Sequence, residues 1–251
     1  MTDTASFGFR TVPAGDKAPL VRRVFDSVAD RYDLMNDLMS AGVHRIWKAE
    51  LVAQLAPRAG ELVLDVAGGT GDVARAIVAA APGCRAIVCD INAAMVARGR
   101  DRLLDGGEIP GLDGCAIGLV VGDAERVPLP DRSVDAYTIA FGLRNVTRID
   151  QALAEARRVL KPGGRFLCLE FSHVVVPGLD RLYDAYSFSI LPALGQAVAG
   201  DREAYAYLVE SIRRFPRQEE LVARMREAGL GRPRFRNLSG GIAAIHSAWR
   251  L

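Results

Sequence analysis

Glu61-Leu-Val-Leu-Asp65-Val-Ala-Gly68-Gly69-Thr70-Gly71-Asp72 decides how the rest of the 251-residue chain is read. An apolar run closes on an acidic residue, three glycines follow within four positions, and an amphipathic run begins at Asp72. A strand buried in a parallel sheet reads as continuous apolar sequence. Glycines directly after it let the backbone turn sharply and approach a ligand without Cβ interference. The stretch therefore predicts a strand, a ligand-binding turn and a helix.

Gly69-Thr70-Gly71-Asp72-Val73-Ala74 also satisfies the G-x-G-x-x-G/A pattern of dinucleotide-binding folds, which taken alone fits a dehydrogenase as well as a methyltransferase. The acidic flanks separate the two. A dinucleotide fold leaves the helix N-terminus free for a pyrophosphate, whereas here Asp72 stands in the first turn and Asp65 just before the glycines. S-adenosylmethionine carries a sulfonium and an ammonium and no phosphate, so it suits an acidic loop better.

Outward from this stretch the pattern repeats. Ala86 to Asp90 reads as a second strand ending in a carboxylate 19 positions after Gly71, suited to hydrogen-bonding both ribose hydroxyls; the competing role for Asp90 is to cap the helix at Asn92. Ile117 to Ala124 reads as a third strand closed by Asp123, whose carboxylate can accept from an adenine amino group while Ala124 offers its N–H. Asp65, Asp90 and Asp123 would then stand along the carboxyl edge of one parallel sheet, where open α/β folds bind ligands. Ser133 to Phe141 predicts a fourth strand that opens into Gly142-Leu-Arg144-Asn145-Val146, where Arg144 and Asn145 either face a substrate over the cofactor or serve as a solvated charge and a helix cap. Arg165 to Ser172 predicts a fifth, with Glu170 as a buried partner for Arg144 or a substrate group.

The remaining segments frame this sheet. Residues 1 to 18, with Gly8, Pro13, Gly15 and Pro19 close by, are expected to be mobile, and helical spacing starts at Leu20. Residues 19–58 then read as N-terminal helices and a lid, since Arg31 to Lys48 mixes acidic, amide and aromatic groups with Leu and Met. Such a segment serves either as a turn between helices or as a lid facing a ligand. Residues 177–216, rich in aromatics and small apolar groups, are too long for a structureless loop and read as an inserted helical cap. Arg234 to Leu238 and Ile242 to Trp249 predict a closing hairpin, with His246 packed rather than catalytic.

Composition sets the outer bounds. With 50% hydrophobic residues the chain can bury one sizeable core, so residues 19–251 are read as a single domain. A net charge of +2 argues against a general nucleic-acid partner. Cys84, Cys89, Cys115 and Cys168 fall singly, away from histidines at metal-ligand spacing, so reduced thiols and no metal site are expected. The N-terminus lacks the pattern of a signal peptide, and no apolar run is long enough to span a bilayer, which points to the cytoplasm.

These residues together resemble a known family. The glycine loop, Asp90, Gly122-Asp-Ala124 and Val159-Leu-Lys-Pro-Gly-Gly-Arg165 are similar to class I S-adenosylmethionine-dependent methyltransferases. Tyr32-Asp-Leu-Met-Asn-Asp-Leu-Met-Ser40, His44-Arg-Ile-Trp47, Phe141-Gly-Leu-Arg-Asn-Val146 and Leu169-Glu-Phe-Ser172 resemble, more narrowly, the ubiquinone/menaquinone C-methyltransferases of the UbiE/MenG type. The resemblance runs from Val24 to Trp249. It implies an α/β Rossmann-like fold, with a seven-stranded, mostly parallel sheet, a closing antiparallel hairpin, a helical lid and a helical cap.

The resemblance implies S-adenosylmethionine as cofactor, in contact with Thr70, Asp90, Asp123 and Ala124; the reading of the glycine loop adds Asp65, Gly69 and Gly71. Ala140 stands where the family often has Ser, which removes one hydroxyl contact. The implied reaction is C-methylation of a polyprenyl quinol, with Arg144, Asn145 and Tyr32 as the catalytic constellation and Asp33 as an additional candidate base. Arg144 would stabilise the developing oxyanion. The implied setting is peripheral contact with the inner face of a membrane, as a homodimer or in a quinone-biosynthesis assembly. Two readings compete: a methyltransferase for another phenolic or lipid-like molecule, and a nicotinamide-dependent reductase, against which Asp72 and Asp123 argue.

Overall fold

The computed structural model describes residues 3–28, 42–107, 115–178 and 202–251. Tyr32 and Asp33 lie outside the described residues, as do much of the expected lid and positions 179–201 of the expected cap.

Seven strands form the sheet: β3 (Leu62–Val66), β4 (Arg85–Asp90), β5 (Ile117–Val121), β6 (Val134–Ala140), β7 (Leu160–Phe171), β8 (Gly231–Leu238) and β9 (Ala243–Trp249). Their order is β5-β4-β3-β6-β7-β9-β8; the pairings from β5 through β7 are parallel, and β9 runs antiparallel to both its neighbours. The chain moves outward from β3 through β4 to β5, then returns to the other side of β3 for β6. The carboxyl ends of β3 and β6 therefore diverge into a crevice, the ligand position of open α/β sheets.

Burial on both faces explains why the central strands read as unbroken apolar runs. Val63 and Leu64 are both fully buried but belong to opposite cores, because successive strand residues point to opposite faces. On one face pack α2 (His44–Leu55), through Trp47, Leu51 and Leu55, and α3 (Asp72–Ala80), through Val73 and Ile77. On the other pack α5 (Ile149–Val159) and α7 (Gln218–Glu227), through Leu153, Val159, Leu221 and Met225. Between β4 and β5 runs α4 (Ala93–Asp105). Of the expected cap, α6 (Arg202–Arg214) is helical, and its Tyr205, Leu208, Val209 and Ile212 join the first core. His246 is buried in β9, with Nε2 against the Gln218 carbonyl at 3.2 Å.

The N-terminal segment departs from the expectation of mobility. Thr4–Phe7 (β1) and Arg10–Pro13 (β2) form an antiparallel hairpin around Gly8, and α1 (Ala14–Val28) starts six residues before Leu20. Here Gly8, at φ +58°, supplies the turn rather than disorder. Distant contacts hold the hairpin: the Phe7 ring stacks on Tyr207 at 4.3 Å, Phe9 N–H donates to the Glu210 carboxylate, and Arg148 pairs with Asp3 at 2.6 Å. Tertiary contacts between 145 and 201 positions away override a local pattern rich in turn residues.

Candidate active site

Two adjoining cavities open at the carboxyl edge of β3 and β6. The first is lined by Ala67 and Gly69 after β3, Asp90 at the end of β4 with Ile91 and Asn92 beyond it, Asp123 and Ala124 after β5, and Asn145 to Thr147 after β6. Ala18, Val21 and Arg22 of α1 close it from outside. Asp90 ends β4 with its carboxylate largely buried: Oδ2 accepts from Gly69 N–H at 2.9 Å and Oδ1 from Asn92 N–H at 2.8 Å. Each oxygen keeps a lone pair for a ligand hydroxyl. Burial pushes its pKa up, against the pull of the two backbone N–H groups. The helix-capping role belongs to Asn92, whose Oδ1 accepts from Ala94 N–H at 2.9 Å and from Met95 N–H at 3.4 Å. Asp123 turns one oxygen to its own loop, Oδ1 accepting from Glu125 N–H at 2.9 Å.

A smaller cavity lies beneath the glycine loop, lined by Asp65, Gly68, Thr70, Ala140 and Lys48, and it shares Ala67, Gly69 and Phe141 with the first. Asp65 is fully buried and pairs in register with Thr138 on β6, whose hydroxyl donates to Oδ1 at 2.8 Å. Oδ2 has no partner. Burial, opposed by the Thr138 bond and Lys48, pushes the Asp65 pKa up to about 7. A Cβ on Gly68 would come within 2.7 Å of Oδ2, so only glycine leaves this oxygen room. Gly71 meets the start of α3 at φ +83°, in the left-handed region that glycine adopts without strain.

An orphaned buried carboxylate oxygen beneath the glycine loop fits a cationic ligand group. The carboxylate on β4 with spare acceptor capacity fits a ribose, and the surrounding apolar groups, Ile91 and Met95 among them, fit an adenine. Asp72, in contrast, is not an exposed anion. It pairs with Arg75 at 2.7 Å, Arg102 at 3.2 Å and Lys48 at 3.5 Å, and although burial works against it these cations hold its pKa below the ordinary value. The argument that Asp72 itself repels phosphate is therefore corrected, and Asp65 and Asp90 carry the acidic character of the loop. Thr70 is likewise engaged, its hydroxyl accepting from Arg102 at 2.8 Å.

Beyond the first cavity, and sharing Val146 and Thr147 with it, lies a polar cavity that Lys17, Arg144, His173, Tyr207 and Ser211 help to line. Arg144 sits in the 3-10 turn Leu143–Asn145, its side chain 3% exposed. Nη1 donates to both Glu170 oxygens, at 3.0 and 3.2 Å, and to the Phe141 carbonyl; Arg144 N–H also donates to Glu170, at 3.1 Å. Glu170 is 1% exposed, and this ion pair pins the turn to β7. Asn145 faces the first cavity, with its Oδ1 accepting from the Tyr207 hydroxyl at 3.0 Å.

The family model described as the ubiE/COQ5 methyltransferase family matches residues 5–250. The chain belongs to the ubiE/COQ5 methyltransferase family. A relative from Paracoccus denitrificans, named ubiquinone/menaquinone biosynthesis C-methyltransferase UbiE, is 58% identical over 98% of this chain and 96% of its own length. The same-named protein of Acidiphilium cryptum is 57% identical over 100% of this chain and 98% of its own. Among solved structures, a methyltransferase of Thermotoga maritima described as a possible histamine N-methyltransferase is similar in fold, with a TM-score of 0.63 at 18% identity over 91% of this chain and 99% of its own.

Of the residues read from sequence as candidates for the cofactor of a ubiE/COQ5 methyltransferase, Gly69, Asp90, Asp123 and Ala124 line the first cavity, while Asp65 and Thr70 line the one beneath the loop. Gly71 shapes the turn without lining either. Arg144 and Asn145 fall on different cavities, which share Val146 and Thr147. Two features escape a reading of the sequence. The outer wall contributed by α1 lies in a stretch that carries no motif, and Tyr207 is one aromatic among many in its segment.

Proposed function

We propose that this chain transfers a methyl group to a ring carbon of a polyprenyl quinol, with S-adenosylmethionine bound in the first cavity and under the glycine loop. Bound there, the cofactor supplies an electrophilic methyl group on a positively charged sulfur. Asp90 would hold its ribose hydroxyls, Asp123 and Ala124 its adenine, and Asp65 its ammonium group. The observation that carries the reading is the wall shared by the two cavities: Asn145 on the donor side, Arg144 on the other and Val146 and Thr147 between them. A quinol ring entering from the polar cavity would meet the methyl group directly where the two cavities join beside these residues, and placement of this kind contributes about 7 kcal/mol or more to a bimolecular transfer.

Carbon attack requires electron density on the ring, which rises when a ring hydroxyl loses its proton or is strongly hydrogen-bonded. Asn145 and Arg144 would orient the ring oxygens, together with Tyr32. Because Glu170 balances the Arg144 charge, Arg144 would act by aiming donors at a developing oxyanion rather than as a lone positive charge. The polyprenyl tail would reach the enzyme from a membrane by peripheral contact; no described helix is long and apolar enough to cross one.

Methyl transfer is tested with labelled S-adenosylmethionine, offering a demethylnaphthoquinol and a methoxy-benzoquinol side by side under reducing conditions. Label on a ring carbon of either product is expected. Label on an oxygen, or on neither acceptor, overturns the assignment.

A further inference from the structure

Only three of the 32 basic residues are lysines: Lys17, Lys48 and Lys161. Lys48 pairs with Asp72 at 3.5 Å and Lys161 with Asp135 at 2.8 Å. Lys17 differs. It is 6% exposed, makes no ion pair among the described residues, and its Nζ donates to the Val146 carbonyl at 2.8 Å. A buried ammonium opposite a neutral carbonyl is costly, and a group that can shed its charge suits the position where an arginine cannot.

The position coincides with the reacting centre proposed above. Val146 follows Asn145 and belongs to the wall between the two cavities, so the carbonyl that holds Nζ is part of that wall. A neutral amine can donate one hydrogen to Val146 and turn its lone pair into the polar cavity. We propose that Lys17 is the proton acceptor for the ring hydroxyl of the methyl acceptor, an inference that rests on the quinol reading. The ring O–H bond breaks, an N–H bond forms on Nζ, and the electron pair stays with the oxygen and delocalises onto the ring carbons. The amine becomes an ammonium directly beside the oxyanion it has created.

The surroundings favour both halves of this exchange. Burial lowers the Lys17 pKa to about 8, with Glu125 acting in the opposite sense and itself engaged by Arg148. Arg144 with its partner Glu170, and Tyr207 and His173, line the same cavity. Farther round its wall, α6, α7 and the turn between them add Arg213, Arg214, Arg217 and the Glu220–Arg224 pair. Burial disfavours a lasting cation at Nζ, and the arginines around the cavity favour an oxyanion within it.

The test uses the full-length protein saturated with S-adenosylhomocysteine, with 1-naphthol as the probe because its anion absorbs at longer wavelength. Ionisation of the bound probe is read by absorbance, and proton release by calorimetry in buffers of different ionisation enthalpy. At pH 8.5 the wild type is expected to hold naphtholate with almost no proton released, since Nζ keeps it. K17M should hold neutral naphthol, lowering the bound-anion fraction at least tenfold. K17R should hold the anion while releasing about one proton per site to buffer. Unchanged S-adenosylhomocysteine affinity in K17M and K17R separates these effects from misfolding. If naphthol binds and K17M ionises it as the wild type does, Lys17 is not the acceptor and the quinol reading stands. If the wild type binds no naphthol, the aromatic-ring reading of the cavity fails and takes the inference with it.

Discussion

The two sides of the shared wall are built in opposite ways. On the donor side each polar group sits at the end of its own strand: Asp65 within β3, Asp90 at the tip of β4 and Asp123 just beyond β5. On the acceptor side the groups come from distant parts of the chain: Lys17 from α1, Arg144 from the turn after β6, Glu170 from β7 and Tyr207 from α6. The first arrangement depends on local sequence and strand register, and it survives in any parallel sheet of this order. The second exists only once tertiary packing is complete, so its parts should fail differently.

The largest expected difference lies in the ion pair that holds the acceptor side. Glu170→Ala leaves Arg144 charged, buried and unpaired, and should destabilise the fold by about 3–5 kcal/mol in chemical denaturation. A loss below about 1 kcal/mol would mean that the turn after β6 is held by other contacts. On the donor side, Asp90→Ala removes two charged hydrogen bonds and the ribose acceptor. It should weaken S-adenosylhomocysteine binding about 100-fold by calorimetry while changing stability less.

The buried Asp65 gives the donor side a distinctive pH dependence. Its folded-state pKa, about 7, lies above the ordinary 3.8. The native state therefore holds a proton that the unfolded chain has released. The stabilisation is complete below about pH 4 and is lost as pH rises through about 7. Without cofactor, Asp65→Asn should abolish this loss, becoming more stable than wild type above pH 7 by several kcal/mol and losing that advantage near pH 4. Saturating S-adenosylhomocysteine should shrink the difference, because an ammonium beside Oδ2 favours the charged carboxylate; an unchanged difference would place the ammonium elsewhere.

The smallest effect tests the contact between the two sides. Tyr207→Phe keeps the stacking on Phe7 but loses the bond to Asn145, so it should cost about 1 kcal/mol of stability. Turnover should fall more than cofactor affinity.

The same contrast explains what was legible in the sequence. Asp90 and Asp123 could be placed because a strand followed by a turn puts its last polar residue on the sheet edge. Glu170 could be suspected as the partner of Arg144 because both lie at ends of adjacent strands. Asp72 was misjudged, since the cations that neutralise it come partly from Lys48 on α2 and Arg102 on α4, whose approach no local pattern records. The hairpin Thr4–Phe7 with Arg10–Pro13 was hidden for a related reason: its turn residues read as disorder until Tyr207 and Glu210 supply what they pack against. Lys17, placed between Asp16 and Ala18 at the start of a helix, carries no local signal of burial, and only the docking of α1 buries it.

The arrangement of donor and acceptor cavities on either side of Val146 and Thr147 is tested most directly by a crystal structure with S-adenosylhomocysteine bound. The account predicts ribose oxygens on Asp90, an amino group on Asp65 Oδ2, and the sulfur directed at the wall formed by Asn145, Val146 and Thr147. A sulfur facing away from that wall, toward α3 or bulk solvent, would contradict it.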